Sequence, residues 1–273
     1  RNAAISSGEE PAPIQWDDAK HTVLDAFASF SPRIAEIARR FFDERWIDAP
    51  TRPAKQGGAF CAPTVPGLNP YVMVNYTGTR HDVLTLAHEL GHGVHFFLSG
   101  TKQSVFEMQT PLTVAETASV FGETVTFGRL LDAETDARRR LTLLGSDLDG
   151  AIATVFRQVS MWRFEDLCHT TRRTDGELSV DTFNEHWLRS QNELFGATVA
   201  TDGYETWWSY IPHFIHTPGY VYAYAFGQLL AMSVYERSTH AGPSFVPQYE
   251  AMLTAGGSRS PEALASMVGC DLT

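Results

Sequence analysis

The sequence predicts a mainly α protein with a small antiparallel β element placed before one long apolar helix. Three observations carry that expectation. Apolar residues recur at the three-and-four spacing of a helix face through most of the chain. Two Ser-Pro pairs, Ser31-Pro32 and Ser260-Pro261, have the form of a helix cap followed by proline in the first turn. Pro and Gly crowd into residues 50–70, where the helical period stops and short β-type runs appear.

The elements follow in order. Residues 14–30 hold Val23, Leu24, Phe27 and Phe30 at helical spacing, and a second helix after Ser31 holds Ile34, Ile37, Ala38 and Phe41. Within the loops that come next, Gly58-Ala59-Phe60-Cys61 and Tyr71-Val72-Met73-Val74-Asn75-Tyr76 read as short strands. Such strands either form a structural hairpin or pair with an extended peptide. Val83, Leu84, Leu86, Ala87, Leu90, Val94, Phe96 and Phe97 then describe a helix that is apolar over much of its surface, hence mostly buried. Residues 133–172 read as one or two long helices, whose charged start, Asp136 with Arg138, Arg139 and Arg140, is a solvated face. Asp181 is expected to cap a helix running to Leu194. Pro218-Gly219 marks a turn from which Tyr220 opens a helix, and Ser260-Pro261 starts the last one. No internal repeat or low-complexity segment appears, so 273 residues with 43% hydrophobic content are expected to form one domain, 1–273.

The buried helix carries Thr85-Leu86-Ala87-His88-Glu89-Leu90-Gly91-His92-Gly93. Histidines four positions apart stand roughly 40° apart around a helix axis and share a face. Two imidazoles so placed can bind one Zn²⁺, and the Glu next to the first can act as base on a metal-bound water. The alternative is a surface helix with two unrelated histidines, which the apolar surroundings disfavour. A buried helix is a costly place for His and Glu unless they are paired or ligated. Gly91 and Gly93 each cost about 1 kcal/mol relative to Ala inside a helix, which suggests close approach of another backbone or of a substrate.

A third ligand is expected from a second helix, residues 113–123, where Glu116 stands among the small residues Ala115, Ala118 and Ser119. Glu123 lies two helical turns further on the same face. It either accepts the second N–H of a ligating imidazole or makes a plain salt bridge.

Here the chain resembles oligoendopeptidase F, of the thimet oligopeptidase class of zinc peptidases. The resemblance rests on His88 to His95, the 115–123 segment, Ile211-Pro212-His213-Phe214 and Gly219-Tyr220-Val221-Tyr222-Ala223-Tyr224, and it extends from Gly58-Ala59-Phe60-Cys61 to the Trp187–Phe195 region. It implies a helical zinc-peptidase catalytic domain that cleaves short peptides. His88, His92 and Glu116 would hold the zinc and Glu89 would be the general base. His213, Tyr220 and Tyr224 would bind substrate and stabilise the oxyanion. His216-Thr217-Pro218-Gly219 departs from the usual aromatic entry into the Tyr segment. Read from the residues alone, the alternating tyrosines are either an aromatic core stripe or a source of donors beside the metal. His216 is a weaker candidate, and His95 reads as structural.

Composition narrows the alternatives. A net charge of −11 disfavours nucleic acid, which attracts basic patches. Three widely spaced cysteines without a C-x-x-C read as reduced thiols, in keeping with a cytoplasmic protein. Residues 1–13 lack the apolar core of a signal peptide, and the longest apolar stretch, residues 220–235, is interrupted by Gly227 and Gln228, so no membrane span is expected. The motifs of a related zinc carboxypeptidase class, His-Pro-Phe and Asp-x-Arg-x-Thr, do not occur. A non-catalytic metal or peptide binder would not need Glu89.

The resembled family carries a further N-terminal helical half, so this sequence is expected to be the C-terminal catalytic portion. Alone it is expected to be a weak or inactive peptidase that self-associates through apolar surface. Assay of this chain beside an upstream-extended version on one peptide checks this, and equal kcat/KM for the two would contradict it.

Overall fold

The computed structural model describes residues 12–272. Nearly all of the segment read for a signal peptide lies outside them. The described residues fall into two compact units: residues up to Ser146 with Leu230 onward, and residues Asp147–Leu229 between.

In the first unit, α1 (Trp16–Phe30) and α2 (Pro32–Asp43) pack on each other, and Ser31 caps α2 through the Ile34 N–H at 3.3 Å, as its sequence predicts. Three strands follow: β1 (Ile47–Pro50), β2 (Phe60–Ala62) and β3 (Tyr71–Tyr76), in the order β1-β3-β2. The β2–β3 pair is antiparallel, with Cys61 opposite Val72. The unforeseen strand β1 runs parallel to β3, so the sheet is mixed. Four residues ending in Pro50 are too few to show a strand period, and β1 exists because β3 offers it a ladder.

The long helix α3 (Arg80–Gly100) begins with a reciprocal cap. Thr79 Oγ1 accepts the Asp82 N–H at 3.1 Å, and Asp82 Oδ2 accepts from the Thr79 N–H at 3.0 Å, the Thr77 N–H at 2.8 Å and the Thr77 hydroxyl at 2.7 Å. Burial opposes the charge on Asp82, but these bonds outweigh it and hold the carboxyl below its ordinary range. Two elements follow, α4 (Leu112–Ala115) and α5 (Thr117–Ala133), and α3 packs more extensively on α5 than on any other element. The expected single helix over 113–123 is therefore broken, with Glu116 at the break (φ −84°, ψ −2°).

Glycine sets how near α3 and α5 come. A Cβ on Gly91 would stand 2.4 Å from the Ala118 carbonyl oxygen and 2.6 Å from Ser119 Cα. One on Gly122 of α5 would stand 3.0 Å from the Ala87 carbonyl oxygen and 2.9 Å from the Phe27 ring. The expected backbone approach is thus present at Gly91. Gly93 has a different reason, since the Phe41 ring lies 2.5 Å from where its Cβ would be. Phe27, Phe41, Leu86, Leu90, Phe121 and Tyr249 fill the core around this contact, with Tyr249 supplied by α11 (Val246–Ala255). The last helix, α12 (Pro261–Met267), starts at Ser260 as predicted.

Residues 133–172 give α6 (Ala137–Ile152), one π turn at Ala153–Arg157, and α7 (Gln158–Asp175). In the second unit α7 pairs with α8 (Val180–Phe195) over a core of Met161, Phe164, Trp187, Ile211 and Val221. The cap of α8 is Ser179, whose hydroxyl accepts the Thr182 N–H at 3.1 Å. Asp181 sits in the first turn instead, where its charge favours the helix N-terminus. After the short α9 (His213–His216), the Pro218-Gly219 turn is present, with Gly219 at φ +77°. Tyr220 precedes α10 (Tyr222–Ala241) rather than opening it. Among the described residues the three cysteines are unpaired, and no helix is long and apolar enough to cross a membrane.

The Gly91→Ala change is expected to destabilise the chain by about 1–3 kcal/mol, the usual cost of overpacking. Gly150→Ala, on an open face of α6, meets nothing within 4 Å and is expected to stabilise by up to about 1 kcal/mol. Denaturant unfolding of the two variants checks this, and equal losses would contradict the packing described.

Candidate metal centre

The helix α3 turns His88 and His92 to one side, with ring centroids 5.0 Å apart and ring planes at 80°. Glu116 reaches them from the α4–α5 break. Its Oε2 lies 3.3 Å from His88 Nε2 and 3.3 Å from His92 Nε2, and the three ligand atoms all fall within 4.8 Å of one another. A charge-assisted N–H···O bond is usually about 2.7–2.9 Å long, so these separations are loose for direct bonding. Donors about 2.0–2.2 Å from one tetrahedral ion stand about 3.3–3.5 Å from each other, which matches. Two imidazole nitrogens and a carboxylate oxygen also form the mixed donor set that suits zinc.

Neighbouring side chains orient the donors. Glu123 Oε2 lies 3.2 Å from His88 Nδ1. A carboxylate can only accept there, so Nδ1 carries a proton, and Nε2 is the nitrogen that faces Glu116 and would give its lone pair to a metal. The contact fits both readings of Glu123, an acceptor for a ligating imidazole and an ion pair with a protonated His88. Ser119 was not foreseen. Its hydroxyl donates to Glu116 Oε2 and to the Glu116 carbonyl, each at 3.0 Å. The i, i+3 spacing of Glu116 and Ser119 around the helix break is the signal that would have found it.

Both Glu89 and Glu116 are buried, whereas the two imidazoles keep some solvent contact. Burial pushes the Glu89 carboxyl above its usual range. The nearby His88 and His92 oppose this, and the charge of Glu116 adds to it. For Glu116 burial acts in the same direction, but the two imidazoles that face it outweigh burial and hold the group well below the ordinary range. His88 shows the converse: burial opposes its charge, yet Glu116 and Glu123 raise it to about 10. His95 is buried and held neutral, its value pushed down to about 3 by burial and by His92.

The first unit thus brings together His88, Glu89, His92, Glu116 and Glu123. The other predicted residues cluster in the second. His213 Nε2 and the Tyr224 hydroxyl are 3.0 Å apart, the Tyr220 and Tyr224 rings lie 5.2 Å apart, and the His213 and Tyr220 rings stack at 6.2 Å. His216 is exposed.

The model of peptidase family M3 matches residues 27–273. The chain belongs to this family. It is 30% identical to the oligopeptidase PepF of Bacillus subtilis over 263 residues, which are 95% of this chain and 39% of that protein. It is likewise 30% identical to an oligoendopeptidase F homolog of Borreliella burgdorferi, covering 94% of this chain and 44% of the relative. The chain therefore spans about two fifths of the length of the curated relatives it matches. Among solved structures, an oligoendopeptidase F from Enterococcus faecium superposes with a TM-score of 0.64 at 25% identity, covering 97% of this chain and 40% of that one. PZ peptidase A, at 17% identity, shares the fold with a TM-score of 0.79 over 96% of this chain and 46% of its own. Membership in family M3 fits the mainly helical architecture and the resemblance drawn from the motifs.

Removing the Glu123 carboxylate should loosen His88 without deleting a ligand. If His88, His92 and Glu116 hold zinc, Glu123→Ala is expected to weaken its binding by about 10–100-fold, as loss of such a partner commonly does. Competition against a chromophoric chelator measures this, and unchanged affinity would leave Glu123 as a surface salt bridge.

Proposed function

We propose that the chain is the catalytic domain of a zinc-dependent endopeptidase, binding one zinc through His88, His92 and Glu116 and hydrolysing short peptides. The observation that carries this reading is the convergence of three donor atoms beside a buried Glu89, in a member of family M3. A zinc ion at such a site polarises a carbonyl and lowers the pKa of bound water. The protein's own groups supply the rest. Glu89, whose carboxyl burial pushes above its usual range against the opposing pull of His88 and His92, takes a proton from the attacking water and returns it to the leaving amine. Glu123 and Ser119 keep His88 and Glu116 oriented. His213, Tyr220 and Tyr224 donate hydrogen bonds to the carbonyl oxygen as it becomes negative, a role that rests on the family resemblance.

The edge position of β2 supports a mode of substrate binding. The Cys61 thiol on β2 is pushed up by burial and by the charge of Glu89, so β2 runs close to the proposed base. Among the described residues β2 pairs only with β3, and its other edge suits the backbone of an extended peptide. A net charge of −11 mildly favours basic peptides and disfavours nucleic acid. Unpaired cysteines support a cytoplasmic location. Self-association through exposed apolar side chains, such as Leu148 and Phe156, is part of the same proposal.

Glu89→Gln separates the roles of base and ligand. The variant is expected to keep its zinc content and to lose about 10²–10⁴-fold in turnover of an internally quenched peptide. Loss of zinc, or full activity, would contradict the assignment.

A further inference from the structure

We infer that Glu165 of α7 is a positioning residue: it latches the turn that presents the His213–Tyr220–Tyr224 cluster. The inference rests on the proposed peptidase reading for its catalytic consequence, though not for its geometry. Glu165 is 5% exposed, and its Oε1 accepts the Gly219 N–H at 2.8 Å. Its other oxygen, Oε2, is buried with no hydrogen-bond partner. A carboxylate held in an apolar core by a single hydrogen bond is costly, and an apolar side chain of similar volume there is often neutral or stabilising. The surroundings are indeed apolar: Met161, Phe164 and Cys168 of α7 belong to the core of this unit. The Cys168 thiol is pushed up to about 12 by burial and by the charge of Glu165. Packing alone does not account for the group. A buried polar atom without a partner calls for another explanation.

The position of its one partner supplies it. Gly219 sits at φ +77°, a left-handed conformation that glycine tolerates, and it immediately precedes Tyr220. No atom lies within 4 Å of where its Cβ would be, so the turn has no steric wall to hold it. The Tyr220 N–H returns to the Thr217 carbonyl at 3.2 Å and the Ala223 N–H to the Tyr220 carbonyl at 2.9 Å, so the turn runs directly into α10. Rotation about Gly219 would swing Tyr220 away from His213 and Tyr224. Glu165 anchors this backbone to α7 across 54 positions of sequence, and the anchor lies one residue from the cluster it orients.

Three variants test the latch. Glu165→Met removes the acceptor but keeps the bulk; Glu165→Gln keeps a neutral acceptor; Tyr224→Phe serves as the reference. Hydrogen exchange by mass spectrometry, on peptides spanning residues 217–220, reads the latch directly in this chain. Glu165→Met is expected to speed exchange of the Gly219 amide at least tenfold, with an unchanged or higher Tm, and Glu165→Gln to restore most of the protection. Unchanged protection in Glu165→Met, or a Tm that falls in step with protection, overturns the proposal. In the longest natural form of the polypeptide that turns over a quenched peptide, Glu165→Met should lower kcat by the same order as Tyr224→Phe while leaving KM within about threefold. The double variant should lose no more than the larger single loss, because both act through one segment. Additive losses refute the latch. If no form hydrolyses peptides, the peptidase reading fails, while the exchange experiment still decides whether Glu165 holds the turn.

Discussion

The backbone contact between α3 and α5 governs the rest of the first unit. Gly91 lets the Ala118–Ser119 backbone lie where a side chain would otherwise be, and Gly122 does the same for Ala87. Both contacts lie beside a proposed ligand, Gly91 next to His92 and Ala87 next to His88. The helix break at Glu116 then turns one carboxylate toward two imidazoles on the neighbouring helix. A methyl group at position 91 would force a shift in this packing, while donor atoms tolerate only a few tenths of an ångström of error in their distances to an ion. Packing and coordination are therefore one constraint. The Thr79–Asp82 cap and the Phe41 ring under Gly93 fix the start and the far side of α3 around it.

Charge explains why the site has so many partners. Two carboxylates are buried within a few residues of each other in space, and each alone would cost several kcal/mol to desolvate. Glu116 is compensated by His88, His92 and the Ser119 hydroxyl, and stays ionised. Glu89 is not compensated to the same degree, and burial dominates its behaviour. Two groups of one chemical type are thus pushed in opposite directions. This divergence is what the proposed roles require, Glu116 as a ligand and Glu89 as the base. In the second unit Glu165 stands out on geometry alone, buried with one oxygen on the Gly219 N–H and the other without a partner.

Much of this was legible in the sequence because it depends on local spacing. The i, i+4 histidines, the Ser31 and Ser260 caps, the β2–β3 pair and the small residues facing α3 are all written within a few positions of one another. What was not legible depends on context from elsewhere in the chain. Strand β1 exists by pairing with β3 across more than twenty residues. Glu116 leaves the helical path at a break that no Gly or Pro announces. Ser179 displaces Asp181 as cap because its hydroxyl, two residues earlier, meets the Thr182 N–H. Ser119 and Glu165 matter through the hydrogen bonds they make, and residue type alone does not reveal those. The three candidate residues of the second unit, His213, Tyr220 and Tyr224, were singled out by resemblance, since a His and two Tyr in an aromatic stretch have no periodic signature of their own.

X-ray absorption at the metal edge of the zinc-loaded chain tests the central claim most directly. A centre built by the α3–α5 contact predicts two imidazole nitrogens at about 2.0–2.1 Å and carboxylate or water oxygen at about 2.0–2.2 Å, with no sulfur. A sulfur shell near about 2.3 Å would move the metal to Cys61, the thiol that feels the charge of Glu89, and a shell of oxygen alone would remove the histidines. Either result would contradict the centre assigned to His88, His92 and Glu116.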